Sequence, residues 1–185
     1  MAAIGRTENA TAIPESATSE GFPPIAKADA RVLVLGSLPG VRSIQEQQYY
    51  AHPRNAFWPI MQALFEIDGD YDARRRQLAA KRIAVWDVLH SSVRRGSLDA
   101  DIRLDVATAN DFAAFFSSHP DIGAVFFNGK KAEKLFTRFV DGRPKDPLAQ
   151  FVVLPSTSPA YAAMPFSSKL ARWRQAFSRH NCSNT

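Results

Sequence analysis

One cysteine, Cys182, stands among the 185 residues. A lone thiol excludes an intrachain disulfide and any zinc or iron–sulfur site built from cysteines only, and a reducing, cytoplasmic setting fits that scarcity. Long apolar runs are also missing. No stretch reaches the roughly eighteen consecutive apolar residues of a membrane span. The first twenty residues contain no apolar segment of the kind a signal peptide needs. They are rich in Ala, Thr, Ser and Glu and read as a disordered tail over 1–20. The turn Gly36-Ser37-Leu38-Pro39-Gly40 lacks the third glycine and the spacing of a dinucleotide fingerprint, and no Gly-Lys-Ser/Thr follows it as a P-loop would require. No internal repeat is visible.

What is present suits one globular domain over 21–185, long enough to bury a core without staples, at 45% hydrophobic and 22% charged residues. Charge is unevenly spread. Of 23 Lys+Arg and 18 Asp+Glu, the first thirty residues hold two basic (Arg6, Lys27) and four acidic (Glu8, Glu15, Glu20, Asp29) groups. The remaining 21 basic against 14 acidic residues give the body a net +7. A basic body suits a polyanionic partner; simple solubility charge is the plainer alternative.

Four short apolar runs read as buried parallel strands: Val32 to Leu35, Ile83 to Trp86, Ala124 to Phe127 and Phe151 to Leu154. Helical patterns separate them over Asn55 to Phe65, Tyr71 to Ala80, Asp111 to Ser118 (with Asn110 as its N-cap), Lys130 to Phe139 and Ser168 to Phe177. Gly21 to Ile25 is an extended lead-in, since Pro23-Pro24 bars helix. Strands alternating with helices predict an α/β fold, a three-layer α/β/α sandwich around a central four-stranded parallel sheet. In such sheets ligands bind beyond the carboxyl ends of the strands. Those ends carry Gly36-Ser37, Asp87, Asn128-Gly129 and Pro155-Ser156-Thr157-Ser158-Pro159.

The densest run of chemistry is Tyr49-Tyr50-Ala51-His52-Pro53-Arg54-Asn55-Ala56-Phe57-Trp58. It suits stacking a flat ring, holding a phosphate and placing a polar group beside the ring. Tyr50, in the loop before a helix, is a stacking platform or a core residue. Asn55 has no accessible pKa, but its amide can orient water and donate to developing negative charge; otherwise it is a helix N-cap. His52 is a phosphate or base contact, or a satisfied loop histidine. Asn128 offers a donor and an acceptor to a base edge, with Gly129 allowing close approach, or it is again an N-cap. Asp87 accepts from a ring N–H or holds Arg94 or Arg95. The segment Arg94-Arg95-Gly96-Ser97 includes phosphate or carboxylate contacts. Ser156, Thr157 and Ser158 pinch a DNA phosphate, with Tyr161 or Met164 as a wedge into the base stack; a turn with hydroxyl caps is the alternative.

Taken together these motifs resemble the uracil-DNA glycosylase superfamily, from about Gly21 to Trp173. An aromatic residue, Ala-His-Pro and Asn-x-Phe-Trp follow the first motif as in its mismatch-specific branch, and Pro155-Ser156 opens the second. Two positions depart. Leu38 stands where the mismatch-specific branch has its catalytic Asn, and Leu154 stands where the uracil-specific branch has His. The ordered set Gly-Ser-Leu-Pro-Gly, Tyr-Tyr-Ala-His-Pro-Arg-Asn, Trp-Asp-Val-Leu, Arg-x-Gly-Ser-Leu-Asp, Phe-Phe-Asn-Gly and Pro-Ser-Thr-Ser-Pro-Ala is similar to the hypoxanthine-DNA (deoxyinosine) glycosylase family. That resemblance implies hydrolytic excision of a deaminated base, hypoxanthine first and uracil or xanthine beside it. Asn55 and Asn128 match its functional asparagines. Tyr50, Gly36, Ser37, Leu38, His52 and Asp87 would surround the base, and Ser156, Thr157, Ser158, Tyr161 and Arg94 would meet DNA. It implies a monofunctional enzyme without metal or cofactor, a monomer on DNA containing a deaminated base, and no membrane partner. A nucleosidase acting on free inosine and a non-catalytic damage-binding module are the rival readings.

Overall fold

The computed structural model of the protein describes residues 18–93 and 102–180. In chain order its elements are β1 (Thr18–Glu20), β2 (Val32–Gly36), α1 (Val41–Glu46), α2 (Phe57–Phe65), α3 (Tyr71–Ala80), β3 (Ile83–Asp87), β4 (Leu89–Val93), β5 (Thr108–Ala109), α4 (Phe112–Ser118), β6 (Ala124–Asn128), α5 (Lys130–Phe139), β7 (Gln150–Leu154) and α6 (Phe166–Arg179).

A four-stranded parallel sheet in the order β3-β2-β6-β7 carries the fold. Its central strands are apolar on both faces because helices cover both. On β6, Phe126 packs edge-on against Phe177 of α6, while its neighbour Phe127 meets Phe136 of α5. Successive side chains of a strand point to opposite faces, so these two contacts define the two helical layers. α2 joins the α6 layer through Phe57–Trp173 and Phe65–Phe177. α4 joins the α5 layer through Phe112–Phe136, with Trp86 of β3 beneath Phe112 and Phe115. Register sets Gly36 opposite Asp87 and Asn128 opposite Leu154, which aligns the carboxyl ends.

The four sheet strands, α3 and α5 fall where the sequence places them. Other boundaries move. α2 begins at Phe57, two residues after Asn55, and α6 begins at Phe166. The predicted cap of α4 is corrected: Asp111 Oδ1 accepts from Ala114 N at 2.9 Å, whereas Asn110 Nδ2 donates to the Asp87 carbonyl at 2.8 Å. A second, antiparallel sheet, β1-β4-β5, was not foreseen, and β1 takes the last three residues assigned to the tail. Its strands are short and each carries Ser or Thr, with no clear alternation to signal them. Residues 1–17 of the expected tail, and Arg94 with the rest of 94–101, lie outside the described residues.

Candidate active site

A cleft of about 650 Å³ opens beyond the carboxyl ends of the parallel strands. That is the size range of small-ligand sites, about 300–1,000 Å³. Its wall takes residues from the end of every strand of the sheet: Gly36 to Leu38, Asp87, Asn128, and Ser156 to Ser158. The loop before α2 adds Tyr50, His52, Arg54 and Asn55, and Tyr161 stands at the far side.

The tyrosine pair divides. Tyr49 is core: it is 3% exposed, its hydroxyl donates to the Phe22 and Pro23 carbonyls, and its own carbonyl accepts from Trp58 Nε1 at 2.9 Å. Burial above all, then the nearby Asp87 charge, pushes its phenol well above the ordinary range. Tyr50 sits on a left-handed backbone, φ 57°, a conformation that costs a residue with a Cβ. That turn sends the two rings different ways. The Tyr50 ring lies against Phe57 with centroids 4.1 Å apart and 30° between planes. It is a half-buried aromatic wall backed by the core.

Asn55 is held at the mouth of α2. Its Oδ1 accepts from Phe57 N at 3.0 Å, so the amide oxygen is identified by the N–H it faces and Nδ2 is left as a donor. The cap reading and the site reading therefore both hold. His52 supports the same loop: its carbonyl accepts from Asn55 N at 2.8 Å and its Nδ1 from Arg54 N at 3.1 Å. A ring nitrogen that accepts is unprotonated, so Nε2 carries the hydrogen of the neutral ring.

Asn128 and Thr157 bind each other twice. Asn128 Nδ2 donates to Thr157 Oγ1, and Thr157 N donates to Asn128 Oδ1, both at 2.8 Å. The Thr157 carbonyl in turn accepts from Ala56 N at 3.0 Å. One threonine thus ties the end of β6 to the loop carrying Asn55. At 1% exposure its hydroxyl is turned to the Asn128 amide rather than to solvent. Gly129 makes this possible. It has φ 97°, and a Cβ there would lie 2.9 Å from Ser156 Cβ.

Gly36 answers a similar need. A Cβ on it would lie 2.2 Å from Asp87 Oδ1 and 3.3 Å from the Tyr50 hydroxyl. The buried Asp87 carboxylate therefore forms part of the floor beside Tyr50. Leu38, 5% exposed, adds apolar wall. The hydroxyls of Ser156 and Ser158 accept from Ser158 N at 3.2 Å and Ala160 N at 3.3 Å, and each keeps its own hydrogen to donate.

Every candidate residue within the described range borders this one cleft except the alternative wedge Met164, which lines a neighbouring groove; Arg94 lies outside that range. Arg42, which pairs with Glu46, also lines it, and nothing in the sequence had singled it out. Among the described residues no three His, Cys, Asp or Glu side chains gather where they would hold a metal ion, and no helix is long and apolar enough to cross a membrane.

Comparison with known proteins supplies the context. The model of a family described as the uracil DNA glycosylase superfamily matches residues 23–179. A Methanosarcina barkeri protein named hypoxanthine DNA glycosylase is 36% identical over 116 residues, 61% of this chain and 72% of that one. Its namesake from Methanosarcina acetivorans is 37% identical over 115 residues, 60% and 72% of the two chains. The solution NMR structure of a candidate uracil DNA glycosylase from Methanosarcina acetivorans superposes with a TM-score of 0.67 at 30% identity, covering 86% of this chain and 98% of that one.

Proposed function

The chain belongs to the uracil DNA glycosylase superfamily and is a DNA glycosylase of deaminated bases, and from that premise we propose that hypoxanthine is its preferred base and that amide groups, with no ionisable catalyst, drive the excision. The observation that carries this reading is the convergence of Asn55, Asn128 and Tyr50 on one cleft at the strand ends. Both named relatives act, by their names, on hypoxanthine.

Hydrolysis breaks the bond from the deoxyribose C1′ to the base nitrogen, and its electron pair leaves on the base. Water forms the new bond to C1′ and releases one proton; the base acquires one. The products are the free base and an abasic site. A glycosylase first draws the nucleotide out of the stack. Tyr50, backed by Phe57, offers a face on which the flipped ring stacks. Asn55 Nδ2 donates to negative charge growing on the departing ring, and its oxygen, fixed by Phe57 N, retains a lone pair to orient water. Asn128 has one N–H and one lone pair beyond its bonds to Thr157, enough for one edge of the base. Ser156 and Ser158 approach the flanking phosphates. Arg94, a phosphate contact by sequence, would add to the salt dependence of binding. Among the described residues no lysine lines the cleft, so no side-chain amine is placed there to form a Schiff base. That supports a monofunctional reaction.

Incubation with oligonucleotides containing deoxyinosine, deoxyuridine or deoxyxanthosine, and with free inosine, tests the proposal. Release of hypoxanthine from DNA fastest of the three bases, leaving strands that break only after alkali, is the expected result. Release from free inosine alone, or no release from deoxyinosine DNA, overturns it.

A further inference from the structure

Lys169 is buried in the first turn of α6 and lies outside the cleft. Three features make this an expensive place for an ammonium. Burial lowers its affinity for the proton. The N-terminal end of a helix repels positive charge. No carboxylate among the described residues pairs with it, the condition under which a buried charge is tolerated. Its Nζ instead donates to the Tyr161 carbonyl at 2.7 Å and lies 5.1 Å from the centre of the Tyr161 ring. Both contacts go to one residue of the loop that closes the cleft.

Four residues on, and so on the same face of α6, Trp173 Nε1 donates to the Pro155 carbonyl at 3.0 Å. The helix therefore grips the Pro155–Tyr161 segment at both ends. The Trp173 end is rigid, since that ring is fully buried and packs on Phe57. The Lys169 end holds a residue that is 41% exposed. Tyr161 borders both the cleft and a second groove of about 520 Å³ shared with Met164, Ser168 and Arg172. It is an exposed aromatic at the border of the cleft.

We propose that Lys169 is a positioning residue for base extrusion: by clamping Tyr161 from below it holds that ring ready to enter the duplex as the damaged nucleotide swings into the cleft. This rests on the glycosylase reading above. It assigns Lys169 no contact with the base or the sugar, so it should matter for DNA that must be unstacked and little for DNA that need not be.

The test compares wild type, Lys169→Met and Tyr161→Ala on a deoxyinosine duplex and on the same strand unpaired. A duplex with 2-aminopurine next to the lesion reports unstacking directly. Losing one charge-assisted hydrogen bond to the loop should lower single-turnover excision from duplex roughly tenfold or more and reduce the fluorescence rise, with unpaired-strand excision little changed. Tyr161→Ala should lower duplex excision and the fluorescence rise at least as far, and adding it to Lys169→Met should cost the duplex reaction little more, since both act on one contact. Lys169→Arg keeps a charged donor and should recover part of the duplex rate if Lys169→Met folds poorly. Equal loss on both substrates, or unchanged unstacking in Lys169→Met, overturns the inference while leaving the glycosylase reading intact. No excision of either substrate by wild type overturns both.

Discussion

Asn128 and Thr157, 29 residues apart in sequence, exchange two hydrogen bonds of 2.8 Å, one through the threonine hydroxyl and one through its backbone N–H. The pairing orients the amide, closes the β7 loop onto β6 and, through the Thr157 carbonyl on Ala56, fixes where Asn55 stands. Two cleft amides far apart in the sequence, Asn55 and Asn128, thereby share one brace.

Replacing Thr157 should therefore disturb a site it does not directly furnish. Thr157→Val keeps shape and backbone but removes the acceptor for Asn128 Nδ2. Leaving this part-buried donor without its partner should cost about 1 kcal/mol. Denaturant unfolding is expected to show that loss and single-turnover excision a parallel fall, with Thr157→Ser close to wild type in both. An unchanged Thr157→Val enzyme would mean that Asn128 is oriented by something else.

Asn55 can be dissected atom by atom. Asn55→Ala should lower the excision rate by about two to three powers of ten, the usual cost of removing one aimed donor, with DNA affinity nearly unaltered. Asn55→Asp keeps an oxygen for Phe57 N but loses the Nδ2 donor, so it should fold normally and be as slow as the alanine variant. If Asn55→Asp stays active, the oxygen does the chemistry and the donor role is wrong.

Gly36→Ala should close the floor of the cleft. Its new Cβ would fall 2.2 Å from Asp87 Oδ1 and 3.3 Å from the Tyr50 hydroxyl, so the carboxylate, the ring or the strand must move. Excision and binding of an abasic-site analogue should both drop at least tenfold, with a stability loss of about 1–3 kcal/mol from overpacking. Gly123→Ala, at the opposite end of the sheet with its nearest neighbour at 3.6 Å, serves as the control in thermal melts and assays.

Tyr49 predicts an alkaline weakness. Its folded phenol ionises well above the ordinary 10.0 because it is buried, while the unfolded chain ionises near that value. Between the two the unfolded state binds fewer protons, so stability must fall as pH rises. Below pH about 10 the contribution is fully present, and it disappears as pH climbs through the folded value. Tyr49→Phe should be less stable near neutrality by about 1 kcal/mol for its lost hydrogen bonds. Its melting temperature should fall less steeply above pH about 10 than that of wild type, with the raised phenol of Tyr71 still contributing. Equal alkaline slopes would assign the effect elsewhere.

Much of this architecture was legible in the residues. The four strands announced themselves as short apolar runs, fully buried in β2 and β3 and left partly exposed at the edge strand β7, and the rule for strand ends then gathered Gly36, Asp87 and Asn128 without further help. What stayed hidden was direction. Nothing in Ser156-Thr157-Ser158 tells which hydroxyl turns inward; only the Asn128 amide decides it. The Tyr49-Tyr50 pair reads as two equal aromatics until a left-handed backbone sends one to the core and the other to the cleft. Lys169 looks like any solvated lysine on a helix, because its burial comes from a loop folding back on it. The short antiparallel sheet escaped because its pairing partners, β1, β4 and β5, lie far apart in sequence and carry little pattern of their own.

The sheet order has a consequence for how this enzyme comes to life. β7 is the last strand made and sits at the rim, pairing only with β6 within the parallel sheet. It delivers the threonine on which both amides depend. A nascent polypeptide halted before residue 150 would already contain Asn55 and Asn128, yet hold them unaligned. The brace between Asn128 and the loop carrying Asn55 can therefore form only once the segment following β7 is in place.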